Sequence, residues 1–147
     1  MKTKRLTLIL LVAVIISACG GSAPPFDSKT PDTKNNVFHY EHLVGIGISE
    51  DVKNLYTYGD QFGIDASYYL AFNCTESTKD SIINSNQMIA DSENGIGLYS
   101  SLELDWWDKE EIESLNRFVY TNENKTYFKY FWYNEESSQA YFLDFDL

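Results

Sequence analysis

Two adjacent tryptophans between two acids are the residues of this sequence best suited to holding a ligand. Trp106 and Trp107 stand between Asp105 and Asp108. Because adjacent side chains diverge, we expect one indole to cap the core and the other to lie near the surface with its N–H in water. An exposed indole beside carboxylates suits a cationic or sugar-like ligand. The structural alternative is that one tryptophan acts as a hydrophobic staple for the helix that follows.

Histidine and aspartate pairs are the next candidates for chemistry. His39 and His42 are the only histidines, and with Glu41 they suggest a metal site, but the sequence shows no further ligand cluster. We therefore expect an exposed pair at the edge of the domain. Asp144 and Asp146 share one strand face, with Cα atoms about 7 Å apart, and paired carboxylates can hydrolyse glycosides. Acids on a terminal strand more often keep a sheet edge soluble.

Two weaker patterns favour structural roles. The segment 91–95 (DSENG) superficially resembles a calcium loop, but its glycine falls one position early. Leu102 also stands at the twelfth position, where a bidentate glutamate is required, so we interpret the segment as a glycine turn. Cys74 ends an alternating pattern without a histidine or a positive neighbour, which predicts a small buried residue. The sequence thus indicates neither a metal nor a cofactor.

The N-terminus has the order of a secretory signal. Lys2, Lys4 and Arg5 precede an uncharged run over 6–16, and small residues follow. As a helix, that run would span about 16 Å, roughly half of the hydrocarbon core, so it does not predict a transmembrane anchor. The four residues 16–19 (Ile-Ser-Ala-Cys) resemble the lipobox of bacterial lipoproteins.

The resemblance covers only about the first 20 residues, but it implies a specific modification. The Cys19 thiol would receive a diacylglyceryl group, signal peptidase II would cut before it, and the new amine would be acylated. Several acyl chains anchor a protein to a membrane without spanning it. Gly20 stands where an inner-membrane retention signal has aspartate, so by analogy the resemblance implies the outer membrane, facing the periplasm or the cell surface. The alternative is a plain signal peptide with Cys19 as a bystander.

Charge narrows the classes of partner. The chain has 147 residues, with 22 acidic against 11 basic residues and a net charge of −11. Cleavage before Cys19 removes three basic residues and no acid, which leaves a side-chain charge of −14. Such a chain repels nucleic acid and suits an envelope protein or a cationic or neutral small ligand. The sequence leaves the oligomeric state open.

The length and composition predict one folded domain behind a leader. We assign 1–18 to the signal peptide, 19–36 to the lipidated cysteine and a flexible tether, and 37–147 to one globular domain. All three prolines lie in the tether, among small polar residues. Such a chain would hold the domain a little over 20 Å from the lipid, at about 5–6 Å × √n.

Hydrophobic periodicity predicts an α+β domain. We expect an antiparallel sheet of about five strands with a C-terminal β-meander, one main helix and one short helix. The predicted strands are 44–48, Lys53–Gly59, Asp65–Cys74, Arg117–Thr121, Thr126–Tyr133 and Gln139–Leu147. The predicted helices are Glu76–Met88, capped by Ser77 or Thr78, and Asp108–Leu115, capped by Asp108.

Together these patterns favour a non-enzymatic, membrane-anchored envelope protein that binds a protein or a small ligand. The alternative is an immunity-like antagonist of a basic toxin or secreted enzyme. A small carboxylate-dependent hydrolase is a third interpretation, weakened because no nucleophile motif accompanies the acids.

Overall fold

The computed structural model describes residues 23–62, 65–91 and 103–147. The predicted signal peptide, Cys19 and residues 92–95 of the calcium-like segment lie outside these residues. The helices are α1 (Lys34–Val44), α2 (Glu76–Ser85) and α3 (Lys109–Ser114). The strands are β1 (Lys53–Phe62), β2 (Asp65–Asn73), β3 (Ile89–Ala90), β4 (Arg117–Thr121), β5 (Tyr127–Asn134) and β6 (Gln139–Asp146).

The strands form one antiparallel sheet in the order β1-β2-β6-β5-β4-β3. The α+β class and the C-terminal meander of β4, β5 and β6 are confirmed. The sheet has six strands where about five were predicted. β3, which lies in none of the predicted strand ranges, has only two residues, and they pair with Val119 and Phe118 of β4. A two-residue strand is too short to show a period of two in the sequence.

The last strand of the chain lies in the middle of the sheet. β6 pairs with β2 on one side and with β5 on the other. Tyr68, Asp144 and Lys129 therefore form one row across the three strands. The prediction that Asp144 lies on a terminal edge is wrong, because the end of the chain is not the edge of the sheet.

Alternating side chains divide the core into two layers. The helix face of the sheet packs against α1 and α2, with Leu70, Phe72, Phe131 and Phe142 completely buried. The tryptophan face packs against α3 and the segment before it. Its buried residues are Tyr69, Ala71, Trp107, Ile112, Trp132, Tyr141, Leu143 and Phe145. No helix among the described residues has the length and apolar character needed to cross a membrane.

The longest described helix, α1, begins in the predicted tether, covers residues 37–43, for which no element was predicted, and ends at the first residue of the strand predicted over 44–48. Thr33 caps it by accepting a hydrogen bond from the backbone N–H of Asn36. Gly45 ends it in the left-handed region with φ of 76°, which glycine adopts without strain. The helix therefore crosses the predicted boundary at residue 37. The strand predicted over 44–48 is wrong, since Val44 is the last residue of α1.

The other two helices lie where they were predicted. α2 ends three residues earlier than expected, and its N-cap is Thr75 rather than Ser77 or Thr78. α3 has the predicted cap, because the Asp108 carboxylate accepts from the backbone N–H of Glu111 at 3.0 Å.

Residues 24–33, which we call the strap, lie along the outer edge of β1. Phe26 packs over Gly59, and the backbone N–H of Asp32 donates to the carbonyl of Leu55. The strap runs antiparallel to β1, since its residue numbers rise as those of the strand fall. The Asp32 carboxylate also accepts from the backbone N–H groups of Asn54 and Leu55. This part of the predicted tether is thus packed, and it covers a strand edge that would otherwise offer free backbone groups.

Candidate functional site

The two adjacent tryptophans differ in burial, as expected from their positions. Trp107 is 5% exposed and lies at the centre of the tryptophan face. Its ring meets Tyr69, Trp132 and Tyr141 edge to face, with centroids 5.2–6.2 Å apart. Trp106 is half-buried, and its indole N–H donates to the carbonyl of Ser28 at 2.8 Å. The indole N–H of Trp106, which was expected to contact water, therefore donates its hydrogen bond to the strap.

Trp106 forms one wall of a surface cleft of about 570 Å³. Its ring stacks on Tyr56 of β1, with centroids 5.6 Å apart and planes at 14°. The cleft is lined by Ser28, Lys29, Tyr56, Glu103, Leu104, Asp105 and Trp106. We call it the Trp106 cleft. It combines an aromatic pair with two exposed carboxylates and one exposed lysine, Lys29, so the lining has a net negative charge. An aromatic pair beside a net negative charge suits a cationic or hydroxyl-rich group.

The four predicted binding residues divide between two neighbouring clefts. Trp106 lines the first, Trp107 and Asp108 line a second of about 460 Å³, and Asp105 lines both. Asp108 also caps α3, so part of its hydrogen-bonding capacity is used within the fold. Trp107 immediately precedes this cap and shares a buried cluster with Ile112, four positions into the helix. That arrangement is the hydrophobic staple considered as the structural alternative, and it applies to Trp107 only.

Negative charge is concentrated around the two clefts. The segment 103–113 contains six acids and one lysine. Glu103, Asp105, Asp108, Glu110 and Glu113 are exposed. The sixth acid, Glu111, is half-buried and accepts from the Tyr141 hydroxyl and from the side-chain amide of Asn134. Close exposed carboxylates produce a negative potential that attracts cations.

The two histidines differ in environment, although α1 places them three residues apart. His42 is exposed, as predicted, but His39 is only 5% exposed, so the expectation of an exposed pair is wrong for His39. The His39 ring stacks on Phe26 with centroids 3.7 Å apart, and its Nε2 lies 2.8 Å from the carbonyl of Pro24. Burial lowers the pKa of His39, against the opposite effect of the Pro24 carbonyl. His39 is thus a strap contact.

The described residues contain no group of three or more His, Cys, Asp or Glu side chains arranged to hold a metal ion. Cys74 is 3% exposed, in agreement with the predicted buried position. Burial, with a smaller contribution from Asp51, raises the pKa of its thiol to about 12. A thiol with so high a pKa is a poor nucleophile.

The two candidate catalytic aspartates are also in different environments. Asp146 is exposed, whereas Asp144 is 5% exposed and accepts a hydrogen bond from the Tyr127 hydroxyl at 2.6 Å. Lys129 Nζ lies 3.9 Å from the Asp144 carboxylate. Burial raises the pKa of Asp144, and the hydrogen bond from Tyr127 and the charge of Lys129 oppose that increase.

Lys129 connects this buried group to the helices. Its Nζ donates to the carbonyl of Leu43 and to the side-chain oxygen of Asn86, both at 2.8 Å. A lysine at the C-terminal end of α1 also interacts favourably with the helix dipole. The Asp144 carboxylate therefore belongs to a polar network that joins the sheet to α1 and α2.

No protein-family model, curated protein or solved structure matches this chain.

Sequence patterns revealed only Asp105 and Trp106 among the seven residues that line the Trp106 cleft, and three of the other five are distant from Trp106 along the chain. Ser28 and Lys29 belong to the strap, and Tyr56 belongs to an edge strand, far from Trp106 along the chain. Pro25 and Phe26 were the available signal, since one aromatic in a polar, proline-rich segment needs an apolar contact. That signal does not say where the ring packs.

Proposed function

We propose that this chain is a lipid-anchored, non-enzymatic protein of the bacterial envelope whose domain binds a cationic or neutral group in the Trp106 cleft. The anchor rests on the lipobox-like segment that ends at Cys19 and on Gly20, which favours the outer membrane. The binding role rests on one structural observation: Trp106 and Tyr56 stack beside two exposed carboxylates in an open cleft.

The structural roles of the candidate catalytic groups support a role in binding. Asp144 is engaged with Tyr127 and Lys129 in the core, while Asp146 is exposed. His39 holds the strap. Each of the two buried groups thus has a contact within the fold that accounts for its position.

A titration with a short oligolysine peptide tests the binding role. At low salt we expect the peptide to bind and to change the tryptophan emission, because the ammonium groups meet the carboxylates beside Trp106. Asp105→Asn should weaken binding severalfold, and Trp106→Phe should reduce the change in emission. Glu136→Gln, in the turn between β5 and β6, is the matched control and should bind as the wild type does. The same titration with a neutral disaccharide tests whether the cleft binds an uncharged ligand.

The proposed site is contradicted if neither probe binds, or if Asp105→Asn and Glu136→Gln behave alike. Circular dichroism of each variant checks that the fold is retained. An increase in salt should weaken peptide binding and leave disaccharide binding almost unchanged, since only charged contacts are screened.

The immunity-like antagonist remains the second candidate because of the acidic segment before and within α3. Five exposed carboxylates on one part of the surface suit a basic protein partner. A pull-down from envelope extract at low and high salt tests this function. Capture of a basic toxin or enzyme whose activity then falls supports it, and salt-insensitive capture contradicts it.

A further inference from the structure

We infer that the flank of the domain formed by the start of the strap and the outer side of α1 lies against the bilayer that holds the lipid anchor. We call this surface the anchor-side flank, and it consists of Pro24, Lys34, Phe38 and His42. The inference rests on the proposed lipidation of Cys19 and extends it to the orientation of the whole domain.

The first observation is the short length of chain between the anchor and the packed strap. Pro24 is only five residues after Cys19. Its carbonyl lies 2.8 Å from His39 Nε2, and Phe26 stacks on the His39 ring. Five residues span at most about 17 Å even when fully extended. The packed strap therefore keeps Pro24 close to the lipid. A flexible tether up to residue 36 would instead have allowed the domain to rotate freely.

The second observation is the stripe of side chains beside Pro24. Lys34, Phe38 and His42 follow one another at intervals of four along α1, so they share one side of the helix. Phe38 is half-buried and stacks on the exposed His42 ring, with centroids 3.9 Å apart. It also meets the His39 ring edge to face at 5.4 Å. The exposed carboxylate of Glu41 lies on the same side of α1, so with Lys34 the stripe carries no net charge. An aromatic pair flanked by an exposed lysine suits the headgroup region of a membrane.

The third observation is the distribution of charge. Residues 23–48, which include the strap and α1, contain three acids and two lysines, whereas 49–147 contain 19 acids and six basic residues. An anionic bilayer therefore repels residues 49–147 more strongly than residues 23–48, which include the anchor-side flank. Repulsion and the short connection therefore favour the same orientation.

The opposite end of the sheet provides a reference point. Phe26 stacks on Tyr68, and Asn73 lies five residues farther along β2, about 17 Å away. Asn73 donates to the carbonyl of Ser137, in the exposed turn between β5 and β6. Ser137 is therefore predicted to face away from the lipid.

Fluorescence quenching by brominated lipids tests the orientation. The full chain is expressed in a bacterium, purified from the membrane fraction, and reconstituted in phosphatidylethanolamine and phosphatidylglycerol vesicles that contain brominated acyl chains. A fluorophore is attached to His42→Cys or to Ser137→Cys. Cys74 is buried, so it should not react. We expect severalfold greater quenching at position 42 than at position 137. Equal quenching at the two positions, or greater quenching at 137, would overturn the orientation.

A strap variant tests the cause. Phe26→Ala removes the ring that packs between His39 and Tyr68, which lengthens the free chain between the anchor and the domain. Quenching at position 42 should fall towards the value at 137. Unchanged quenching would overturn the role of the strap. A chain that never enters the membrane fraction would contradict the proposed anchor and this orientation with it, whereas an anchored chain with equal quenching contradicts the orientation alone.

Discussion

At the scale of single residues, several polar side chains form hydrogen bonds with helices or strands that are distant from them in the sequence. The Asp51 carboxylate accepts from both the backbone N–H and the hydroxyl of Thr75, each at 2.8 Å. Thr75 is the N-cap of α2, and its side chain makes no capping bond. Asp51 therefore supplies an acceptor and a negative charge at this helix end, in addition to the charge of Glu76 in the first turn.

Replacement of Asp51 should destabilise the domain in a pH-dependent way. Burial raises the pKa of Asp51, but hydrogen bonds from Ser49, Thr75 and Thr78 outweigh it and hold the pKa well below its usual range. The folded-state pKa is thus lower than the unfolded one, so this stabilisation is present above about pH 4 and is lost as the pH falls towards the folded-state pKa. At pH 7, Asp51→Asn should cost about 1 kcal/mol in the free energy of unfolding.

Urea unfolding at neutral and acidic pH measures this effect. The difference between the wild type and Asp51→Asn should shrink as the pH falls below 4. A difference that stays constant across that range would show that the carboxylate charge has no role in capping α2.

Gly59 is the residue on which the position of the strap depends most directly. A Cβ added there would lie 2.7 Å from Phe26 Cδ2, which is too close for a real contact. Gly59→Ala should therefore displace the Phe26 ring and cost about 1–3 kcal/mol in the free energy of unfolding. Gly47→Ala is the matched control, because a Cβ at that position has no atom within 4 Å.

Thermal unfolding and the ring-current shifts of the His39 protons measure the outcome. We expect a lower melting temperature and a loss of the upfield shift for Gly59→Ala only. If Gly59→Ala keeps both values of the wild type, Phe26 does not occupy this position in solution.

At the scale of elements, the sequence predicted the strands better than the helices. In β2, β5 and β6, aromatic and other apolar side chains follow one another in nearly continuous runs, because both faces of the sheet are covered and each strand must fill two layers. The longest helix was missed because its inward residues include Asn36 and His39, which leave no apolar stripe. Its end signals, Thr33 and Gly45, were visible in the sequence. Tertiary hydrogen bonds compensate for the burial of these polar side chains. Local periodicity in the sequence cannot show such bonds.

The order of the strands could not be predicted from local patterns either. β2 pairs with β6, although about 70 residues separate them along the chain. The same separation hides the row that joins Asp144 to Tyr68 and Lys129. In the candidate site, the tryptophan pair was visible in the sequence, but Ser28 and Tyr56 were not, since they reach the cleft through the fold.

Asn36 is predicted to be the most sensitive polar position in α1. Its amide donates to the carbonyls of Thr30 and Leu55 at 2.9 and 2.8 Å, and its oxygen accepts from the Thr57 hydroxyl at 2.6 Å. Asn36→Ala would leave buried groups without partners and should cost about 2–3 kcal/mol in the free energy of unfolding. Asn35→Ala, at the less buried neighbouring position, is the control.

Guanidinium unfolding of the two variants, with the helical circular dichroism signal as the readout, checks this prediction. Equal stability of Asn36→Ala and Asn35→Ala would contradict the role of Asn36 as the link between α1, the strap and β1.

At the scale of the whole molecule, the proposed anchor and the charge of the chain are linked. The lipobox-like segment implies that a leader with three basic residues is removed and a lipid is added, so the proposed mature chain has a side-chain charge of −14 where the full chain has −11. In the proposed orientation, the packed strap brings the domain closer to the bilayer than a tether to residue 36 would. The Trp106 cleft uses strap residues as part of its lining, so the strap connects the proposed anchor to the proposed binding site.

Metabolic labelling with a palmitate analogue tests the central claim most directly. The wild-type chain should take up the label and sediment with membranes, whereas Cys19→Ala should take up none and leave the membrane fraction. A wild-type chain without label, or a Cys19→Ala chain that is still labelled, would contradict the lipid-anchored function proposed for this protein.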